Sequence, residues 1–174
     1  MTAARPALIV RPCFQQDLEM VQLIYAHHVL TGTGTFEVEP PSLDQMTERW
    51  SAVVSKGWPF LVAAPVEDPS RVLGFAYAAQ YRERAAYATT FESSIYVGPT
   101  KLRQGVGEAL MGELLHSLRD EGVREVLAFI GDSYNAASIE LHRKVGYKFI
   151  GKLANVGEKF GKVLCSIEAD KNAL

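Results

Sequence analysis

The chain has 174 residues, 48 % of them hydrophobic and 22 % charged, with a net charge of −2 and an isoelectric point near 6.1. That composition suits one globular domain with a buried core, and it excludes both the basic surplus of a nucleic-acid binder and a membrane-spanning apolar run. Two cysteines, Cys13 and Cys165, are too few for a disulfide framework, and the four histidines lack the spacing of a metal site, so neither staples nor metal are expected.

Residues 7–11, ALIVR, predict a first strand. The opening MTAARPALIVRPCF has no long apolar core or cleavage site, so no export is expected and the cytoplasm is the expected compartment. Leu18, Val21, Ile24, Tyr25 and His28 recur at helical spacing and predict a helix over about 17–30. TGTGTF breaks it. Ser42 with Gln45 three residues on forms a capping box, which predicts a second helix from there to about Lys56, stopped by Gly57. PFLVAA and RVLGFAYAAQY predict a strand pair joined by the turn-forming PVEDPS. A polar loop, YRERAAYATT, leads into the strand FESSIYV. The helix over 105–121 is the clearest in the chain: Val106, Leu110, Leu114 and Leu118 form one stripe, widened by Met111 and Leu115, with Gly122 at the stop. REVLAFI, a helix from about Asn135 to Lys144, YKFIGKL and the run around KVLCSIEA complete the chain.

The order is β-α-α-β-β-β-α-β-α-β-β. Three successive strands suggest antiparallel pairing and the later β-α-β units suggest parallel neighbours, which together give an α/β (α+β) domain: a mixed, mostly antiparallel sheet with helices on both faces.

Gly105 and Gly107 stand between a strand and the strongest helix. Glycine admits positive φ and close approach of a ligand, and the first helical turn offers unpaired N–H groups at the positive end of the helix dipole. Lys101 and Arg103 add charge beside them. A phosphate cradle and a plain glycine-softened helix start both fit this turn. The two common nucleotide motifs do not: no lysine–hydroxyl pair follows for a Walker A loop, and a dinucleotide fingerprint needs glycine where Leu110 stands. In the preceding strand, alternation puts Glu92 on one face with Thr90, Ser94 and Tyr96, and puts Phe91, Ser93, Ile95 and Val97 on the other. A polar row on a central strand makes sense if it lines a cavity.

The strand FESSIYV, the turn at Gly105 and Gly107, and the pattern N-x-x-S-x-x-L-H-x-x-x-G-Y resemble the GNAT acetyltransferase superfamily. GTGTFEVEPPS, AYATTFESSIYV, FIGDSYNAASIELHRKVGY and VGEKFG, in that order, resemble its phosphinothricin N-acetyltransferase branch over nearly the whole chain. The resemblance implies a GNAT fold and acetyl-CoA as the donor, held by Tyr96, Val97, Arg103, Gln104, Gly105, Val106, Gly107, Asn135 and Ser138. It implies Glu92 as general base, because an ammonium group must lose a proton before it can attack a thioester. His142 would protonate the departing thiolate or assist the base, and a main-chain N–H near Val97 would polarise the thioester carbonyl.

On the substrate side the resemblance implies Phe36, Glu37, Arg82, Arg84, Tyr87, Thr90, Lys159 and Phe160. An arginine pair suits carboxylate, phosphinate or arsinate groups. Leu102 stands where the family has Arg or Gln, Ala88 where the branch often has Arg, and Val163 and Cys165 where it usually has Trp and Asp. The implied reaction is direct transfer, with no covalent enzyme intermediate, to the α-amino group of a toxic glutamate analogue, phosphinothricin or arsinothricin, as detoxification and resistance. Methionine sulfoximine or sulfone is the alternative substrate, and a non-catalytic acyl-CoA sensor or a protein acetyltransferase are the alternatives in kind. The implied partners are this small-molecule amino-acid analogue and a second copy in a homodimer, with no nucleic acid and no membrane.

Overall fold

The computed structural model describes residues 7–172. The reading of the N-terminus as leader-free rests in part on residues 1–6, which lie outside the described residues. Seven strands form one sheet: β1 (Leu8–Pro12), β2 (Phe60–Pro65), β3 (Gly74–Gln80), β4 (Thr90–Val97), β5 (Glu125–Gly131), β6 (Lys148–Lys159) and β7 (Lys162–Asn172). Among the described residues four α-helices cover it: α1 (Leu18–Thr31), α2 (Leu43–Val54), α3 (Val106–Asp120) and α4 (Ala136–Lys144). The spatial order is β1-β2-β3-β4-β5-β7-β6, and every neighbouring pair is antiparallel except β4 and β5.

Two apolar layers sandwich the sheet. The stripe Val106, Leu110, Met111, Leu114, Leu115 and Leu118 is buried along α3, against Leu61, Ala76, Phe91 and Val126 on one sheet face. On the other face, Val21, Ile24 and Val29 of α1 and Met46 and Val53 of α2 pack on Phe60, Val62 and Phe75. β2 is buried along its whole length, which accounts for its unbroken run FLVAAP. The Ser42 capping box forms in both directions: Gln45 N–H donates to Ser42 Oγ at 3.2 Å, and Ser42 N–H to Gln45 Oε1 at 2.9 Å.

Two expectations change. Of the two β-α-β units only β4-α3-β5 gives a parallel pair; after α4, β6 goes to the sheet edge and β7 inserts between it and β5. The strand expected over 147–153 continues to Lys159, through Asn155 and Gly157, residues that signal a turn. It tolerates them because the ladder with β7 is bulged there, between Leu153 and Gly157, with Asn155 at a left-handed φ of 58°. The hairpin closes on Phe160 and Gly161, with φ of 55° and 69°, a pair of positive values that matches the twist of the flanking strands.

Candidate active site

The feature that organises the site is a fork. β4 and β5 pair only from Thr90–Glu125 to Ser93–Ala128, yet β4 runs on to Val97 and β5 to Gly131. Beyond Ser93 each strand keeps only its outer partner, β3 or β7, so the two part and leave a cavity of about 250 Å³. Glu92, Ser94 and Tyr96 line it as alternation foresaw, and so do Ser93 and Ile95, because a parting pair opens on both faces. Ser138 and His142 of α4 close another side, and the 34–36 loop forms a wall.

Among the described residues, the Glu92 carboxyl has no hydrogen-bond or ion-pair partner, and burial pushes its pKa up from the ordinary 4.5. Among the described residues no lysine or arginine lines the cavity. His142 is buried in α4, two turns on from the Asn135 cap. Its Nδ1–H donates to the Ser138 carbonyl at 2.8 Å, which leaves Nε2 with a free lone pair. Burial pushes its pKa below 6.5, with the Ser138 bond a smaller opposing effect, so the neutral ring prevails. That favours a proton acceptor or relay over a preformed acid.

The turn after β4 explains its glycines. Gly105 caps α3 with φ of 86°, and a Cβ on Gly107 would lie 2.9 Å from Leu141 of α4. Both therefore serve the fold as well as any ligand. Ahead of the first helical bond, from Ala109 N–H to the Gly105 carbonyl at 3.0 Å, the N–H groups of Val106, Gly107 and Glu108 have no acceptor among the described residues. The Val106 side chain lies in the core. Arg103, at φ of 60°, and Leu102 face solvent, while Gln104 turns its amide onto the Thr100 carbonyl at 3.2 Å. Asn135 caps α4 through Ser138 N–H at 3.2 Å. The Val97 carbonyl accepts from His28 Nε2 at 2.9 Å, and Tyr96 packs among Tyr25, His28 and Phe75.

The substrate-side residues divide into two groups. Phe36 and Glu92 share the cavity lining, and the Phe36 ring covers Gly157, whose missing Cβ would stand 2.7 Å away. Glu37 is held by Arg49 through its two terminal guanidinium nitrogens, at 2.8 and 3.2 Å. Lys159 is buried and donates to the Thr35 carbonyl at 2.9 Å; burial lowers its pKa, which Glu37 partly offsets. Both fasten the 33–37 loop. Phe160 sits exposed at the hairpin tip. Arg82 and Arg84 are exposed and outside the cavity wall. Arg82 lies over the Tyr81 ring at 4.9 Å, Tyr87 meets Tyr81 edge-on, and Tyr81 stacks on Phe129 of the wall at 5.9 Å. The arginine loop is thus joined to the rim through one aromatic. Thr90, at the base of β4, accepts Tyr81 N–H on its carbonyl at 2.9 Å.

Sequence reasoning missed the wall that TGTGTF makes. Thr33 Oγ1 donates to Asp132 at 2.6 Å, and a Cβ on Gly131 would collide with the Thr33 carbonyl at 2.7 Å, so loop backbone lies directly on β5. It also missed the buried pair Ser93–Tyr147, linked at 2.8 Å. The polar Ser93 on a core-facing position was the available signal.

A sheet parted between its two parallel strands, with unpaired N–H groups at the start of the next helix and a half-buried carboxyl without a partner inside, forms a cleft suited to an extended ligand. The chain matches the family model described as Acetyltransferase (GNAT) family over residues 22–147, and it belongs to that family. It is 43 % identical over 159 residues to a phosphinothricin N-acetyltransferase of Alcaligenes faecalis, covering 91 % of this chain and 79 % of that one. An L-methionine sulfoximine/L-methionine sulfone acetyltransferase of Pseudomonas paraeruginosa is 32 % identical over 155 residues, 89 % of this chain and 88 % of that one. The solved structure of a GNAT superfamily phosphinothricin acetyltransferase from Sinorhizobium meliloti, in complex with acetyl-CoA, superposes with a TM-score of 0.91 at 34 % identity, over 95 % of this chain and 88 % of that one. The activity is N-acetyl transfer and the donor is acetyl-CoA.

Proposed function

We propose that the enzyme acetylates the α-amino group of a small toxic glutamate analogue, phosphinothricin or its arsenic counterpart arsinothricin, and so protects the cell that makes it. The observation that carries the reading is Glu92: a half-buried carboxyl with no partner among the described residues, its pKa raised by desolvation, in a cavity lined by no lysine or arginine. Such a group attracts an ammonium and takes a proton from it, directly or through water. The 43 % identity to a phosphinothricin N-acetyltransferase supports the substrate class.

The residues present fit acetyl-CoA. The N–H groups of Val106, Gly107 and Glu108, with the left-handed Gly105, offer a seat for a pyrophosphate, and Lys101 and Arg103 lie beside it. From Ser94 to Val97 the β5 side of β4 has no strand, which leaves room for an extended arm, and Ser138 lines the gap one turn on from the Asn135 cap. When bound, acetyl-CoA supplies an acyl group activated on sulfur. In this reading a main-chain N–H near Val97 polarises the carbonyl oxygen. Glu92 holds the amine's proton, and neutral His142, with its Nε2 lone pair free, relays protons in the same cavity. Cys13 is buried with its thiol pushed up to about 12, unsuited to nucleophilic catalysis.

Arg82 and Arg84 read the acidic groups of the substrate from the rim, with Tyr87 and Thr90 at the base of the same loop. Phe36 and Phe160 supply apolar contact, and Glu37 and Lys159 hold the facing loop. The absence of a cation in the wall itself favours a second reading, the less acidic methionine sulfoximine or sulfone, as in the Pseudomonas relative. A cytoplasmic homodimer belongs to the same proposal: Phe149, Ile150, Leu153 and Val156 lie exposed on the edge strand β6, a surface that suits a second copy.

The test is acetyl-CoA consumption against phosphinothricin, arsinothricin, methionine sulfoximine, methionine sulfone, glutamate and a lysine peptide, with Glu92→Gln in parallel. Fast turnover of one acidic analogue, lost in the variant, is the expected result. Equal and slow turnover of every acceptor would overturn the substrate assignment.

A further inference from the structure

We propose that Tyr147 and Ser93 are positioning residues that lock Glu92 and His142 into one arrangement. The inference rests on the roles given above to Glu92 and His142, and it adds what holds them together.

Ser93 stands on the last rung of the fork, opposite Ala128; one residue further on, β4 and β5 separate. Its hydroxyl donates across that rung to the Leu127 carbonyl at 3.2 Å and accepts the Tyr147 hydroxyl at 2.8 Å. Tyr147 lies just beyond α4. Its N–H donates to the His142 carbonyl at 2.9 Å, and its ring meets the His142 imidazole edge-on, with centroids 5.0 Å apart and planes at 84°. One side chain therefore touches the apex of the fork with its tip and the imidazole with its flank. Glu92 immediately precedes Ser93, so any rotation of that rung re-aims the carboxyl. Any displacement of Tyr147 moves His142.

Packing alone does not require these hydroxyls. The neighbours of Ser93 on the same strand face, Phe91 and Ile95, belong to the apolar layer under α3, and a phenylalanine at 147 would fill the same volume. Both residues are almost wholly buried, at 6 % and 5 % exposure, where a hydroxyl without a partner is costly. Here each is satisfied by the other, which fixes one geometry where an apolar contact would permit several.

Three variants test the pair: Tyr147→Phe, which keeps the ring against His142; Ser93→Ala; and the double. The readouts are kcat, the KM of each substrate, the pH profile and the His142 imidazole NMR resonances. Each single variant is expected to lower kcat about tenfold while the KM for acetyl-CoA stays within about twofold, as misalignment rather than lost binding requires. The double should be no slower than the worse single, because the two act as one unit. Ser93→Thr, which retains a hydroxyl, should recover most of the rate. The imidazole resonances should shift in both singles.

Single variants with kcat within about twofold of the parent and unmoved imidazole resonances would overturn the proposal, as would rate losses that multiply in the double. If Ser93→Ala fails to fold, Tyr147→Phe decides alone, since it keeps the core volume. A fully active Glu92→Gln would remove the base assignment, yet the imidazole resonances would still report whether the pair holds His142.

Discussion

At the scale of single residues, the chemistry concentrates on two groups whose burial opposes their charged forms. Burial raises the folded-state pKa of Glu92 above its ordinary 4.5, so the folded protein binds that proton more tightly than the unfolded chain. Stability is then full below the unfolded value, falls as pH climbs towards the folded value, and stays lower above it. Glu92→Gln is accordingly expected to raise the melting temperature at pH 8 and to leave it unchanged near pH 4, while kcat/KM drops by about 10²–10⁴. Calorimetry and steady-state rates on the same preparation check both halves. In the parent, kcat/KM should rise with pH through a pKa above the usual carboxylate range, and that limb should disappear in the variant. For His142 the sign reverses. Its folded pKa lies below 6.5, so its contribution is full above that value and is lost as pH falls towards the folded pKa. His142→Asn should flatten that acid limb of the stability curve, measured as melting temperature against pH.

At the scale of elements, glycines mark the places where two segments touch without room for a side chain. At Gly131 a Cβ would stand 2.7 Å from the Thr33 carbonyl and 3.0 Å from that of Gly34, both rigid backbone. Gly131→Ala should therefore push the 33–37 loop off β5, cost about 1–3 kcal/mol of stability and raise the acceptor KM more than that of acetyl-CoA. Gly105→Ala works at the other end of the site. With φ of 86° the alanine is strained by about 1–2 kcal/mol, and the expected kinetic signature is a higher KM for acetyl-CoA. Much of this framework was legible in the sequence. The helices announced themselves by periodicity and capping, and Glu92 by its place in a polar alternation. Less legible were features that depend on distant partners. The sequence does not show that Lys159 donates to the carbonyl of Thr35, 124 residues away, or that Glu37 pairs with Arg49. Nor did β6 announce its length, because Asn155 and Gly157 signal a turn and only pairing with β7 overrides them. Local patterns show which residues are unusual; long-range contacts decide what they do.

At the scale of the whole molecule, the exposed apolar row on β6 predicts self-association. Light scattering should give a particle of twice the 19.2 kDa chain, and Ile150→Lys with Val156→Lys should halve it. The fork has a mechanical consequence as well. The sheet is two plates, β1 to β4 and β5 with β7 and β6, and the backbone ladder between them has only the rungs from Thr90 to Ser93. Such a joint is a seam along which the domain can open without either plate unravelling, and a substrate lying across it acts as a rivet. Hydrogen exchange at Leu127 and Ala128 should then slow when acetyl-CoA is added, while amides in the middle of β2 and β3 scarcely respond.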